Sequence, residues 1–153
     1  APLAAPITEP VLLVQSAFDA VLNGQDLSAT QTLFDGSFQY IDAEVPNIGL
    51  GRDGVDYLVR YNRSAFPDLH YNVEEVVSEA DRVVTRWTAT GTHRGFFRLH
   101  APTGNRVAWT GVTIWQVRDG KIVGAWVIED MAGLLRQLGG SSAETWGPSY
   151  YGN

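Results

Sequence analysis

Residues 109–130 read WTGVTIWQVRDGKIVGAWVIED. Two runs rich in Val, Ile, Thr and Trp flank Asp119-Gly120. Asp-Gly between alternating apolar residues is the strongest short-range hairpin signal, because a type I′ turn needs positive φ at both central positions. A two-residue loop there predicts the pairs Val117/Ile122, Trp115/Gly124, Thr113/Trp126, Gly111/Ile128 and Trp109/Asp130. Side chains alternate across a strand, so Trp109, Gly111, Thr113, Trp126, Ile128 and Asp130 are expected on one face. Val112, Ile114, Val123, Ala125 and Val127 are expected on the other. A carboxylate at the end of an apolar, Trp-lined face is out of place in a plain core, since buried charges are rare unless paired. Asp130 is therefore the first candidate for acid/base chemistry. The same residue is also placed to cap a helix beginning at Met131 or Ala132.

Working outward, the chain of 153 residues suits a single domain with a sizeable core, and its 44% apolar content places it among globular proteins. A net charge of −6 and a pI of about 4.9 argue against nucleic acid and anionic membranes as partners. There are no cysteines, which removes disulfides, thiol nucleophiles and cysteine-bound metals. The opening APLAAPITEP lacks the basic start and apolar middle of a signal peptide, and no run is long enough to span a bilayer; a cytoplasmic location is the expectation.

Residues 1–8 read as a Pro-rich arm. Thr8 is placed to cap a first helix with Pro10 in its first turn and Val11, Val14, Phe18, Val21 and Leu22 on one stripe, ending at Asn23-Gly24. Ser28 is placed to cap a short second helix through Leu33 and Phe34. Asp35-Gly36 reads as a turn, and residues 38–42 as a strand carrying Phe38, Tyr40 and Asp42 on one face. A loop over residues 45–51 precedes a third helix, Gly54 to Ser64, with Asp53 as its cap. Strands follow at Tyr71 to Ser78 and Val83 to His93, joined by a turn at Ala80-Asp81. A connection from Arg94 to Arg106 leads into Trp109. After Asp130 comes a short helix, Ala132 to Leu138, then a tail over residues 141–153 with Trp146, Tyr150 and Tyr151. Helices first, then closely spaced strands, then a helix is the pattern of an α+β fold: a curved antiparallel sheet with helices on one face, forming a cone with an internal pocket.

Several pieces in this order resemble one family. They are Phe66-Pro67-Asp68-Leu69, Asp81 to Arg86, Gly91-Thr92-His93-Arg94-Gly95, Pro102-Thr103-Gly104, Asp119 to Val123, Trp126 with Asp130, and Gln137-Leu138-Gly139. Together, over roughly Val11 to Gly139, they resemble the SnoaL-like polyketide cyclases of the nuclear-transport-factor-2-like superfamily. The resemblance implies a cofactor-free enzyme that closes a ring by an intramolecular aldol step, with a carboxylate at the position of Asp130 as general acid/base. It also implies polar contacts from the first strand, which Tyr40 and Asp42 approach here. Many relatives carry a His in that strand, and this chain has none. Isomerases, dehydratases and non-catalytic binding domains share the superfamily fold, which does not by itself fix function.

The candidate catalytic residues are therefore Asp130, His93 and Asp42. His93 is placed to bond a substrate oxygen or Asp130, or else a strand-end backbone group. Asp42 is placed at the pocket mouth with Tyr40, or else as an ordinary residue after a strand. Phe18, Tyr40, Trp87, Trp109, Trp126 and Ile128 are the candidate substrate-binding wall, and as aromatic or branched residues at strand spacing they equally suit a core. No Gly-rich phosphate loop, zinc-ligand spacing or G-x-S-x-G elbow is present, so no cofactor or metal is expected. The expected function is acid/base chemistry on a hydrophobic polyketide- or terpenoid-like molecule, most simply an aldol-type cyclisation. Isomerisation or dehydration, or plain ligand binding, are the alternatives. The apolar second face of the hairpin predicts a homodimer packed sheet to sheet.

Overall fold

Helix α1 (Glu9–Ser16) carries Pro10 in its first turn, where a missing N–H leaves nothing unsatisfied, and runs on as a π-helical segment, Ala17–Asn23. Thr8 stands at its N-cap position without a side-chain capping bond. The expected stripe is the buried one, with Val11, Val14, Phe18 and Val21 against the core. A 3-10 turn, Leu27–Ala29, leads into α2 (Thr30–Leu33). Asp26, not Ser28, caps that turn, because its carboxylate accepts both the backbone N–H and the hydroxyl of Ser28. Strand β1 (Phe34–Asp42), helix α3 (Gly51–Ala65), strands β2 (His70–Glu79), β3 (Arg82–Thr92), β4 (Arg106–Arg118) and β5 (Lys121–Glu129), and helix α4 (Met131–Gln137) complete the order. Asp53 lies in the first turn of α3, not at its cap. The computed structural model describes residues 8–42 and 51–139, so the expected arm before Thr8, the loop before Gly51 and the aromatic tail lie outside the described residues.

The five strands form one sheet in the order β1-β5-β4-β3-β2. Neighbours from β5 to β2 are antiparallel, but β1 runs parallel to β5, so the sheet is mixed where an antiparallel one was expected. No hairpin joins β1 to β5; most of the chain lies between them, and a distant strand is free to pair in either sense. Asp35-Gly36 is not a turn but falls inside β1, where the pairing slips between Phe34 and Gln39.

The β4–β5 turn is as expected: Asp119 and Gly120 take φ of 50° and 71°, and Arg118 pairs with Lys121 and Val117 with Ile122. The next step departs from the expectation. Gln116 pairs with Gly124, leaving Val123 as one extra residue on β5. Such a bulge shifts every later pair by one place, and a one-place shift turns each side chain to the opposite face. The observed pairs are Trp115/Ala125, Thr113/Val127 and Gly111/Glu129 on the inner face, and Ile114/Trp126 and Val112/Ile128 on the outer. Ala125 and Val127 are buried, whereas Trp126 and Ile128 are 50% and 63% exposed. The predicted faces of β4 and β3 hold: Val107, Trp109, Trp115 and Val117, with Val83, Thr85, Trp87 and Ala89, all point into the core beneath the helices.

Candidate active site

The bulge brings a different carboxylate inward. Glu129, the last residue of β5, pairs with Gly111 on the inner face. It stands in the wall shared by two adjoining cavities. The inner one, of about 70 Å³, runs under the π-helical segment and α3 against the sheet, with Phe18, Trp87, Trp115 and Val127 among its walls. The outer one, of about 220 Å³, is bordered by Asp42, Tyr57, Tyr61, Phe97, Arg98 and Met131. Tyr40, Leu58, Asn62 and Glu129 border both. Each is far larger than the roughly 10–15 Å³ that a single water needs.

Two of the wall indoles have their N–H groups satisfied within the sheet. The Trp87 indole N–H donates to Thr113 Oγ1 at 2.9 Å, and the Trp115 N–H donates to Thr85 Oγ1 at 3.0 Å. Thr85 and Thr113 are themselves a cross-strand pair, so the two indoles are fixed reciprocally from β3 and β4. Gly111 makes room for one of them: a Cβ there would lie 2.2 Å from Trp87 Cζ2. Phe18 and Tyr71 pack edge-on, Phe18 against Trp115 and Tyr71 against Trp87.

Two phenols stand near Glu129. The Tyr40 hydroxyl donates to Asp42 Oδ2 at 3.3 Å. Burial, and then the negative charges of Glu129 and Asp42, push its pKa far above the ordinary tyrosine range. Burial and Glu129 raise Tyr71 likewise, with Arg63 acting in the opposite direction. Both phenols therefore stay protonated as potential donors across the physiological range. Arg63 borders the inner cavity, and its terminal nitrogens bond the carbonyls of Leu22, Asn23 and Pro67.

The sequence-predicted residues divide. Phe18, Tyr40 and Trp87 border the inner cavity, and Asp42 and Tyr40 the outer. Trp126 and Ile128 are on the outer face, turned there by the bulge, and do not reach either cavity. Asp130 is exposed one residue beyond the strand, and its carboxylate accepts the Gly133 N–H at 2.9 Å as the N-cap of α4. Of its two readings the geometry displays the cap. His93 is fully buried outside the cavities, against Phe66. Its Nδ1 accepts from the Thr103 backbone N–H, so the proton sits on Nε2, which is buried with no partner among the described residues. Trp109 packs on the same Phe66 ring and borders neither cavity. The sequence reading missed Glu129, Tyr71, Asn62 and Arg63. Glu129 was visible only as the neighbour of Asp130, and the signal that selects between them is the valine-glycine pair after the turn, where a bulge fits.

Among the described residues no cluster of three His, Asp or Glu is arranged for a metal, and no helix is long and apolar enough to cross a membrane.

The chain belongs to the SnoaL-like polyketide cyclase family, whose model matches residues 12–138. Two solved structures share about a third of its sequence. AclR of Streptomyces galilaeus, described as a proposed hydroxylase, is 32% identical, with 86% of this chain and 96% of that one covered and a TM-score of 0.74. IdmH of Streptomyces antibioticus, a proposed polyketide cyclase, is 31% identical, covering 87% and 100%, with a TM-score of 0.74. A SnoaL-like protein from Jannaschia sp. CCS1 matches in fold, with a TM-score of 0.80 at 24% identity over 92% of this chain and 99% of that one. No curated protein matches. The family and the fold together define a cyclase- or isomerase-type enzyme of small molecules on an α+β cone.

Proposed function

We propose that this chain is a cofactor-independent acid/base enzyme that closes a ring in a hydrophobic polyketide-like substrate by an intramolecular aldol reaction, with Glu129 as the base. The observation that carries this reading is a single one: a glutamate on the inner face of the sheet, in the wall between two cavities otherwise lined largely by apolar and aromatic side chains. An apolar surround raises the basicity of a carboxylate toward that needed to remove a proton beside a carbonyl. In the reaction the Glu129 carboxylate takes that proton, and the C–H electron pair moves into the carbonyl to form an enolate. The enolate carbon then attacks a second carbonyl of the same molecule, breaking its π bond. The resulting alkoxide recovers the proton from Glu129, so no atom is gained or lost. Family membership supports cyclase chemistry, and IdmH, a proposed polyketide cyclase, is among the relatives.

Glu129→Gln and Asp130→Asn, assayed on linear poly-β-ketone esters, separate the two adjacent carboxylates. Glu129→Gln is expected to lose about 10²–10⁴-fold in kcat, the usual contribution of a positioned base, while Asp130→Asn keeps both turnover and its helix cap. Full turnover by Glu129→Gln overturns the reading. The similarity to AclR favours a second reading, oxygenation on the same scaffold. Product mass distinguishes them: cyclisation and isomerisation leave it unchanged, dehydration removes a water, and hydroxylation adds an oxygen atom.

A further inference from the structure

The proton abstracted by Glu129 leaves a negative charge on an oxygen some distance from it, and that oxygen needs a donor. Two hydroxyls are near, and their hydrogens are not equivalent. Tyr40 already donates to Asp42. The Tyr71 hydroxyl instead has the Asn62 side chain beside it as a donor, and its ring borders the inner cavity.

Tyr71 is also the better anchored. It lies near the start of β2, an edge strand, and the Asn23 side chain grips its main chain twice: Nδ2 donates to the Tyr71 carbonyl at 2.9 Å, and Oδ1 accepts the Tyr71 N–H at 2.8 Å. Asn23 is held in turn through its carbonyl by Arg63 at 3.1 Å. Trp87 and Phe18 pack edge-on against the phenol ring, with centroids 5.1 and 6.1 Å away. Main chain and ring are thus both fixed before any substrate arrives.

The charges on either side favour the same assignment. Glu129 and Arg63 act on Tyr71 with opposite signs, and Asn62, on the turn of α3 before Arg63, sits beside its hydroxyl as a donor. When Glu129 becomes neutral, the negative charge moves to the substrate oxygen, away from the carboxylate and toward the guanidinium. A preorganised donor and a fixed cation in an apolar chamber stabilise charge that develops there without reorganising.

We propose that the Tyr71 hydroxyl is the donor that binds the substrate oxygen on which the enolate charge forms, with Arg63 behind it, so that the inner cavity selects substrates presenting a ketone or enol oxygen to that end. This assignment rests on Glu129 as the base, and its test separates the two.

The probe is a series of substituted 2-naphthols of graded acidity, titrated into the purified protein. Trp87 and Trp115 fluorescence reports binding, and absorbance reports the fraction bound as naphtholate. Wild-type affinity is expected to rise with the acidity of the naphthol. Tyr71→Phe, which keeps the ring packing and the Asn23 clamp, is expected to bind the most acidic naphthols about 10- to 100-fold more weakly and to lose the dependence on acidity. Tyr40→Phe retains that dependence. Glu129→Gln also retains it and binds naphtholate more tightly, because a like charge has gone. A wild-type protein without a preference for acidic naphthols overturns the assignment, as does Tyr71→Phe with unchanged affinity and slope. Should Glu129→Gln leave naphtholate affinity unaltered while Tyr71→Phe abolishes the slope, the donor role stands and the base must be sought elsewhere.

Discussion

Glu129 and Asp130 are neighbours in sequence with different surroundings. The first ends a strand and faces the interior; the second begins a helix and faces water. Asp is a favoured N-cap because its oxygen accepts an otherwise unpaired N–H, here that of Gly133. A Cβ on Gly133 would lie 2.1 Å from Asp130 Oδ2, so the capping carboxylate closes directly onto a residue without a side chain. His93 also has its task set locally. Burial, with a smaller effect from His100, holds its imidazole below the ordinary value of 6.5, so it gains a proton at a lower pH in the folded protein than in the unfolded chain. Between 6.5 and the lower folded value the unfolded chain binds more protons, and stability must therefore fall as the pH drops through that window. The carboxylates of Asp26, Asp35 and Asp68, all lowered from 3.8 chiefly by hydrogen bonds to Ser28, Ser37 and Thr92, act in a more acidic range. Urea unfolding from about pH 7 to about pH 5 is expected to show a stability loss in the wild type that His93→Gln largely removes. Parallel slopes for the two proteins would refute it.

Among the elements, the β4–β5 hairpin does most to set the site. A local signal, Asp-Gly, placed its turn correctly, because positive φ at two successive positions is a property of those two residues. The register beyond the turn is not local. One unpaired residue, Val123, exchanges inward and outward sets over the rest of β5 and thereby substitutes Glu129 for Asp130 and Val127 for Trp126. Gly111 is the other point where backbone and site meet, since it pairs with Glu129 and lies beneath Trp87. Gly111→Ala is predicted to displace the Trp87 ring and to cost about 1–3 kcal/mol of stability, the usual range for overpacking a core. The displaced ring should also shift Trp87 emission and lower turnover more than stability alone explains. A variant with wild-type melting temperature and emission would show that the indole has room to spare.

For the whole molecule, the expectation of an apolar outer face survives with altered membership. Ile41, Trp126, Ile114, Val84 and Val77 form one row in register across all five strands, and Ile128 with Val112 lies alongside. Trp126, Ile128, Ile41 and Val77 are each at least half exposed. The rows flanking it carry both signs, Arg82 and Arg86 opposite Glu79 and Glu75. A balanced face with an apolar centre, on a chain of net charge −6, suits a second copy better than a basic partner. We accordingly propose a homodimer through this face, in which Trp126→Lys is predicted to sediment as a monomer while retaining its inner cavities. A monomeric wild type at micromolar concentration would refute the pairing.

Features that depend on neighbouring residues can be read along the chain: the Asp119-Gly120 turn, the amphipathic stripe of α1, the alternation of β3 and β4, the capping capacity of Asp130, and the ordered motifs that mark the family. From these the α+β class and part of the cavity wall, Phe18, Tyr40, Trp87 and Asp42, were legible. Which side of each strand meets which partner depends instead on long-range pairing. The parallel entry of β1, the bulge at Val123 and the convergence of Tyr71 from β2 with Asn62 and Arg63 from α3 are pairings between residues far apart in the chain. Side chains alternate with a period of two, so a single extra residue reverses a face without changing composition or local pattern. The catalytic candidate moved by one position for that reason alone.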